Sequence, residues 1–157
     1  MVESSSGEVY TRSAMTVNAA SILWPILAQI GWTFMLYAWL TVVRMQAVKS
    51  GEVEYSCFVT SRDEPRQIAR VTRNLSNQFE LPVIFYAVAV LLIVHGRVGT
   101  IDVIAAWVFV GGRVIHTLVQ TLTDNVQLRG QVFTINFLAV AVLVGHVMVL
   151  AIEGIGK

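Results

Sequence analysis

Arg70, Arg73, Asn77 and Glu80 recur at i, i+3, i+7 and i+10. At about 100° per helical residue they fall on one stripe less than a quarter-turn wide. Arg113, His116 and Gln120 repeat the i, i+3, i+7 spacing further along, and Arg129 adds another cation. Guanidinium groups on a shared face bind carboxylates or phosphates, often bidentately. A structural clasp between two helices is the plainer use of such residues. A clasp, however, needs only one ion pair, and here four arginines accompany a single glutamate. The positive surplus therefore points to a site for an anionic ligand.

The elements that must carry these residues are membrane helices. Of the 157 residues, 55% are hydrophobic and 13% charged, against about 25% charged in soluble domains. Mean hydropathy is +0.67. A soluble domain of this size leaves too much surface wet to hide so many apolar groups. Four stretches approach the roughly 20 apolar residues that cross a bilayer. They predict spans at 20–43, 68–95, 101–122 and 130–152, an all-α, integral membrane four-helix bundle of one domain, residues 19–157. Residues 1–18 read as a polar tail without the basic start of a secretory signal. In the second span the apolar run 81–94 is too short alone, so the helix must extend back through Arg70–Glu80 and carry charge into the membrane.

Ionisable residues in a span face a protein interior rather than lipid. Leu75, Phe79, Leu81 and Val83 back the first stripe; Val114, Leu118 and Val119 back the second. Glu80 lies 15 residues before His95 and Arg113 lies 13 after Thr100, so both sit about 20 Å from the tight turn carrying Gly96 and Gly99. A Glu80–Arg113 ion pair is expected, since an unpaired ion at that depth costs several kcal/mol. His146 stands apart in the fourth span as a packed or interfacial residue, and Asn136 is placed to bond between helices. Trp24, Trp32, Trp39 and Trp107 suit interface anchoring and packing. The pair Gly111-Gly112 permits close helix approach.

Most basic residues lie on the side of the long loop 44–66 and the short 123–127 connection; the opposite side has Arg12, Arg97 and Lys157, partly offset by Glu3, Glu8 and Glu153. The positive-inside rule then puts the loop in the cytoplasm and both termini across the membrane. The net charge of +1 gives a nucleic-acid partner no support. A single cysteine, Cys57, excludes a disulfide framework, and no His/Cys spacing suggests a metal.

The run Arg70-Val-Thr-Arg73-Asn-Leu-Ser-Asn77-Gln-Phe-Glu80-Leu-Pro82 resembles a signature of the MAPEG family, the membrane-associated proteins in eicosanoid and glutathione metabolism. Gly112-Arg113-Val-Ile-His116, Asn125-Val-Gln-Leu-Arg129, and Arg44-Met-Gln-Ala47 with Gly51 resemble its other conserved segments. Enzymes of this family often carry tyrosines on the third helix where this chain has His116 and Gln120, a pattern closer to bacterial members. The resemblance implies a homotrimer in a bacterial inner membrane, with glutathione bound between subunits near the cytoplasmic side. Arg70, Arg73, Asn77, Glu80, Arg113, His116 and Gln120 would then bind the tripeptide. Arg129 and Arg44 would be catalytic, lowering the thiol pKa. The function implied is a glutathione-dependent transferase or peroxidase acting on a lipophilic substrate that arrives through the membrane lipids. The alternative is a non-catalytic scaffold or accessory subunit of a larger membrane complex.

Overall fold

The computed structural model describes residues 18–60 and 64–155, so the expected tail, apart from Asn18, and Lys157 lie outside the described residues. Four helical spans are long and apolar enough to cross a membrane. The first is α1, Leu23–Lys49, entered through a 3₁₀ turn at Ala19–Ile22. The Asn18 side chain accepts from the Ala20 N–H at 3.0 Å, capping that entry. Pro25 falls in the first helical turn, where its missing N–H has no partner to lose.

α1 runs well past position 43, so Arg44 is helical and the loop proper starts at Ser50. What stops α1 is Gly51, at φ +74°. Its N–H donates to Val48 O and that of Glu52 to Ala47 O, both at 3.0 Å, the paired bonds of a glycine C-cap. Gly96, at φ +62°, closes the second span in the same way, with bonds to Ile93 O and Leu92 O. A short helix, α2 (Cys57–Thr60), interrupts the long loop.

The second span is not the continuous helix that the sequence predicts. It comprises α3, Arg66–Ser76, a 3₁₀ turn at Asn77–Phe79, and α4, Leu81–Val94. The joint is Glu80, at φ −101° and ψ −101°. Pro82 has no N–H for the carbonyl of Gln78, so the ladder breaks just ahead of it. α5 (Thr100–Leu122) and α6 (Val126–Ile155) form the third and fourth spans. Asp102 caps α5 by accepting from the Gly99 N–H at 2.7 Å, and Asn125 caps α6 by accepting from that of Leu128 at 2.9 Å.

Two apolar clusters hold the bundle. One packs Ile22, Phe85, Leu92, Phe109 and Leu143, with the Phe85 and Phe109 rings stacked at 4.6 Å. The other joins α1 to α3 through Leu36, Leu40, Ile68, Val71 and Leu75. Between them runs a belt of buried polar side chains: Gln29, Asn74, Gln78, Arg113, His116, Thr117, Gln120 and Asn136. Much of the outer surface is apolar, with Phe34, Val94, Leu122, Met148 and Ile152 well exposed. In water such a surface would mark an interface; on four membrane-spanning helices it suits lipid.

Two expectations change on the side away from the loop and in the bundle. His146 is not alone: its Nδ1 lies 2.8 Å from the buried Asp102 carboxylate, tying α6 to the start of α5. Trp32 is not an interface anchor, because its Nε1 donates to Thr117 Oγ1 at 3.3 Å within the bundle.

Candidate functional site

The second span carries two polar stripes across α3 and the 3₁₀ turn, and they do different work. Asn74 and Gln78, one turn apart, face inward. Gln29 Nε2 donates to Gln78 Oε1 at 3.0 Å, and Thr117 Oγ1 donates to Asn74 Oδ1 at 3.0 Å. This ladder joins α1, α3 and α5. It meets the need of polar groups in lipid to be satisfied internally. The second stripe, Arg70, Arg73, Asn77 and Glu80, lines an open cavity of about 670 Å³ at the loop-side end of the bundle. Gln120 and Arg129 form its other walls. A second cavity of about 320 Å³ shares Arg73, Asn77, Glu80, Gln120 and Arg129 and adds Leu81, Arg113, His116 and Phe133 deeper in. The shared walls make these one recess, with a polar mouth and a floor among the third and fourth spans. Its size is that of a ligand pocket.

Every residue expected to bind the ligand therefore lines this recess, as does Arg129. Arg44 does not. Its Nη2 pairs with the buried Glu64 carboxylate and donates to Thr72 Oγ1 at 3.2 Å, and its guanidinium sits 4.9 Å over the Phe58 ring. Thr72 in turn donates to Glu64 at 2.7 Å. Arg44 thus ties the loop to α3, and its expected catalytic role finds no support within the subunit.

The Glu80–Arg113 ion pair is absent from the ion pairs among the described residues. The break at Glu80 explains why. Arg113 donates instead to the carbonyl of Asn77 at 2.9 Å, on the 3₁₀ turn, while Glu80 is exposed in the wall of the recess. Arg113 is 1% exposed and its Nε has no hydrogen-bond partner. Nor has the Nδ1 of the buried His116. Both residues line the deeper part of the recess. Gln120 Oε1 accepts from Asn74 Nδ2 at 3.1 Å and Asn77 Nδ2 at 3.0 Å, so it links the two stripes.

Gly112 lets α6 approach α5 here. A Cβ added to it would collide with the carboxamide of Asn136, which is fully buried. Gly111 has open space, so only one glycine of the pair serves close approach. Asn136 itself forms no hydrogen bond through either amide atom, contrary to the expected interhelical bond.

The sequence reading passed over Arg66 and Asp124 at the mouth and Gln29, Asn74, Gln78 and Thr117 in the ladder. The i, i+4 spacing of Asn74 and Gln78 was the available signal for the second stripe. Asp124 is the lone acid in a three-residue connection, and nothing local distinguishes it.

The fold and site define a four-span membrane protein with a cation-rich recess opening at the loop side. The MAPEG family profile matches residues 22–149, and the chain belongs to that family. No curated protein and no solved structure gives a significant match.

Proposed function

We propose that the protein is a membrane-bound glutathione-dependent transferase or peroxidase acting on a lipophilic electrophile. The family includes enzymes of both kinds. The observation that carries the reading is the recess itself, where arginines from three spans converge around a floor at which Arg113 Nε and His116 Nδ1 have no hydrogen-bond partner among the described residues. Arg70 and Arg73 suit the two carboxylates of glutathione. Glu80, exposed and without an ion pair among the described residues, suits its amine. Arg129 stands at the start of α6 where the recess narrows, and positive charge beside the thiol favours the thiolate, the nucleophilic form. Leu81 and Phe133 give the inner wall an apolar surface against which an electrophile from the bilayer can rest. In transfer to an aryl halide, the thiolate sulfur bonds to the electrophilic carbon, the carbon–halogen bond breaks to release halide, and the thiol proton leaves to solvent. In peroxide reduction, the thiolate attacks the outer peroxide oxygen, the O–O bond breaks to release the lipid alcohol, and a second glutathione converts the resulting sulfenic acid to the disulfide and water.

We further infer a homotrimer in a bacterial inner membrane with the long loop cytoplasmic, from family membership and the placing of basic residues. The commitment of Arg44 to Glu64 favours a second reading, a non-catalytic scaffold. Turnover separates the two. Purified protein in lipid should conjugate glutathione to an apolar aryl halide or reduce a lipid hydroperoxide, and R129A should be slower. Glutathione binding without turnover of either substrate would leave the scaffold reading.

A further inference from the structure

We propose that Asp124 is a built-in competitor for the ligand's carboxylate, holding the guanidinium that the ligand must take. The inference rests on reading the recess as a glutathione site. Asp124 lies in the connection Thr123–Asn125 between α5 and α6 and lines the mouth of the recess. Its Oδ1 accepts from Arg70 Nη2 and, at 2.8 Å, from Arg66 Nη2. The other terminal amino group of Arg70, Nη1, donates to the carbonyl of Thr121 at 3.2 Å. Both arms of the fork that would grip a ligand carboxylate are therefore engaged by the chain itself.

The two bonds differ in how readily they yield. Thr121 O belongs to α5 and cannot move without the helix. The Asp124 side chain is 69% exposed and can swing into water. Exposed ion pairs contribute little, so a ligand carboxylate anchored by the rest of the recess displaces it. Binding becomes an exchange of one carboxylate for another at Arg70. A ligand without a carboxylate at this point gains no ion pair there, so the exchange at Arg70 is open only to ligands that carry one. Its charge also repels an anion approaching the mouth, which slows association.

The test is titration calorimetry of glutathione against the detergent-purified full chain, with stopped-flow association rates, in wild type, D124N, D124S, D124E and R70A. Asn keeps an acceptor oxygen without the charge. D124N and D124S should bind glutathione about two- to fivefold more tightly and associate faster, with the gain shrinking as salt screens the mouth. D124E should stay near wild type, and R70A should bind at least about tenfold more weakly. Unchanged or weakened binding in both D124N and D124S, with R70A impaired, would overturn the competitor and leave the site intact. An R70A variant binding as wild type would overturn the site reading and this inference with it.

Discussion

Replacing Gly112 by alanine tests the contact that sets the spacing of α5 and α6, and with it the distance of Arg129 from Arg113 and His116. The added methyl carbon would stand 3.0 Å from the Asn136 carboxamide carbon and closer still to its oxygen. Carbon atoms in contact prefer about 3.5–4.0 Å. Asn136 is fully buried, so it cannot relieve the clash by turning to solvent. Overpacking of this kind costs about 1–3 kcal/mol. Alanine also gains about 1 kcal/mol of helix propensity over glycine, and G111A isolates that gain, because nothing lies within 4 Å of a Cβ there. The expected result is that G112A unfolds several degrees below G111A in one detergent. The double variant G112A/N136A should recover most of the difference, since the second change removes the obstructing group. Equal thermal midpoints for G112A and G111A would refute the proposed contact, and additive single effects would refute the pairing with Asn136.

Other outcomes follow from the same geometry. R73A should bind glutathione at least about tenfold more weakly than R97A, because Arg73 lines the recess while Arg97 pairs with Glu153 at 3.5 Å on the opposite side; calorimetry on both variants decides it. R44A should lose about 1–3 kcal/mol of stability by stranding the buried Glu64, yet keep glutathione affinity within about twofold; melting and calorimetry on one preparation check both halves. R129A should leave glutathione bound but raise the pKa of its thiol by about one unit, equivalent to about 1.4 kcal/mol, and R129K should recover part of this, read as thiolate absorbance against pH. Native mass spectrometry in mild detergent should give a trimer mass, and a monomer alone would count against the assembly.

Much of the architecture was legible because a bilayer demands so much of a chain. Four apolar runs could only be spans, and the Arg70 to Glu80 stripe lines the open recess with Arg73 and Glu80 exposed. The 3.6-residue period then brought that stripe, Arg113 and Arg129 to one recess. The misses share a cause, the reach of local backbone events. Pro82 lies inside an apolar run that otherwise reads as helix, yet it breaks the ladder at Glu80, and Arg113 donates to the Asn77 carbonyl instead of pairing with that carboxylate. Gly51, not the first polar residue, ends α1, so Arg44 stays helical and meets Glu64. Asp102 and His146 lie 44 residues apart, and only the packing of α6 on α5 joins them. Residue types and depth suggested Glu80 and Arg113 as partners, but depth along the membrane says nothing about rotation after a helix break.

The central claim is that the recess binds glutathione through its arginines. Titration calorimetry with the detergent-purified chain tests it most directly, comparing wild type with an R73A/R113L variant that keeps its fold by circular dichroism. Saturable binding of about one glutathione per recess, abolished in the double variant, is the expected result. No binding by wild type, or equal binding by the folded double variant, would contradict it.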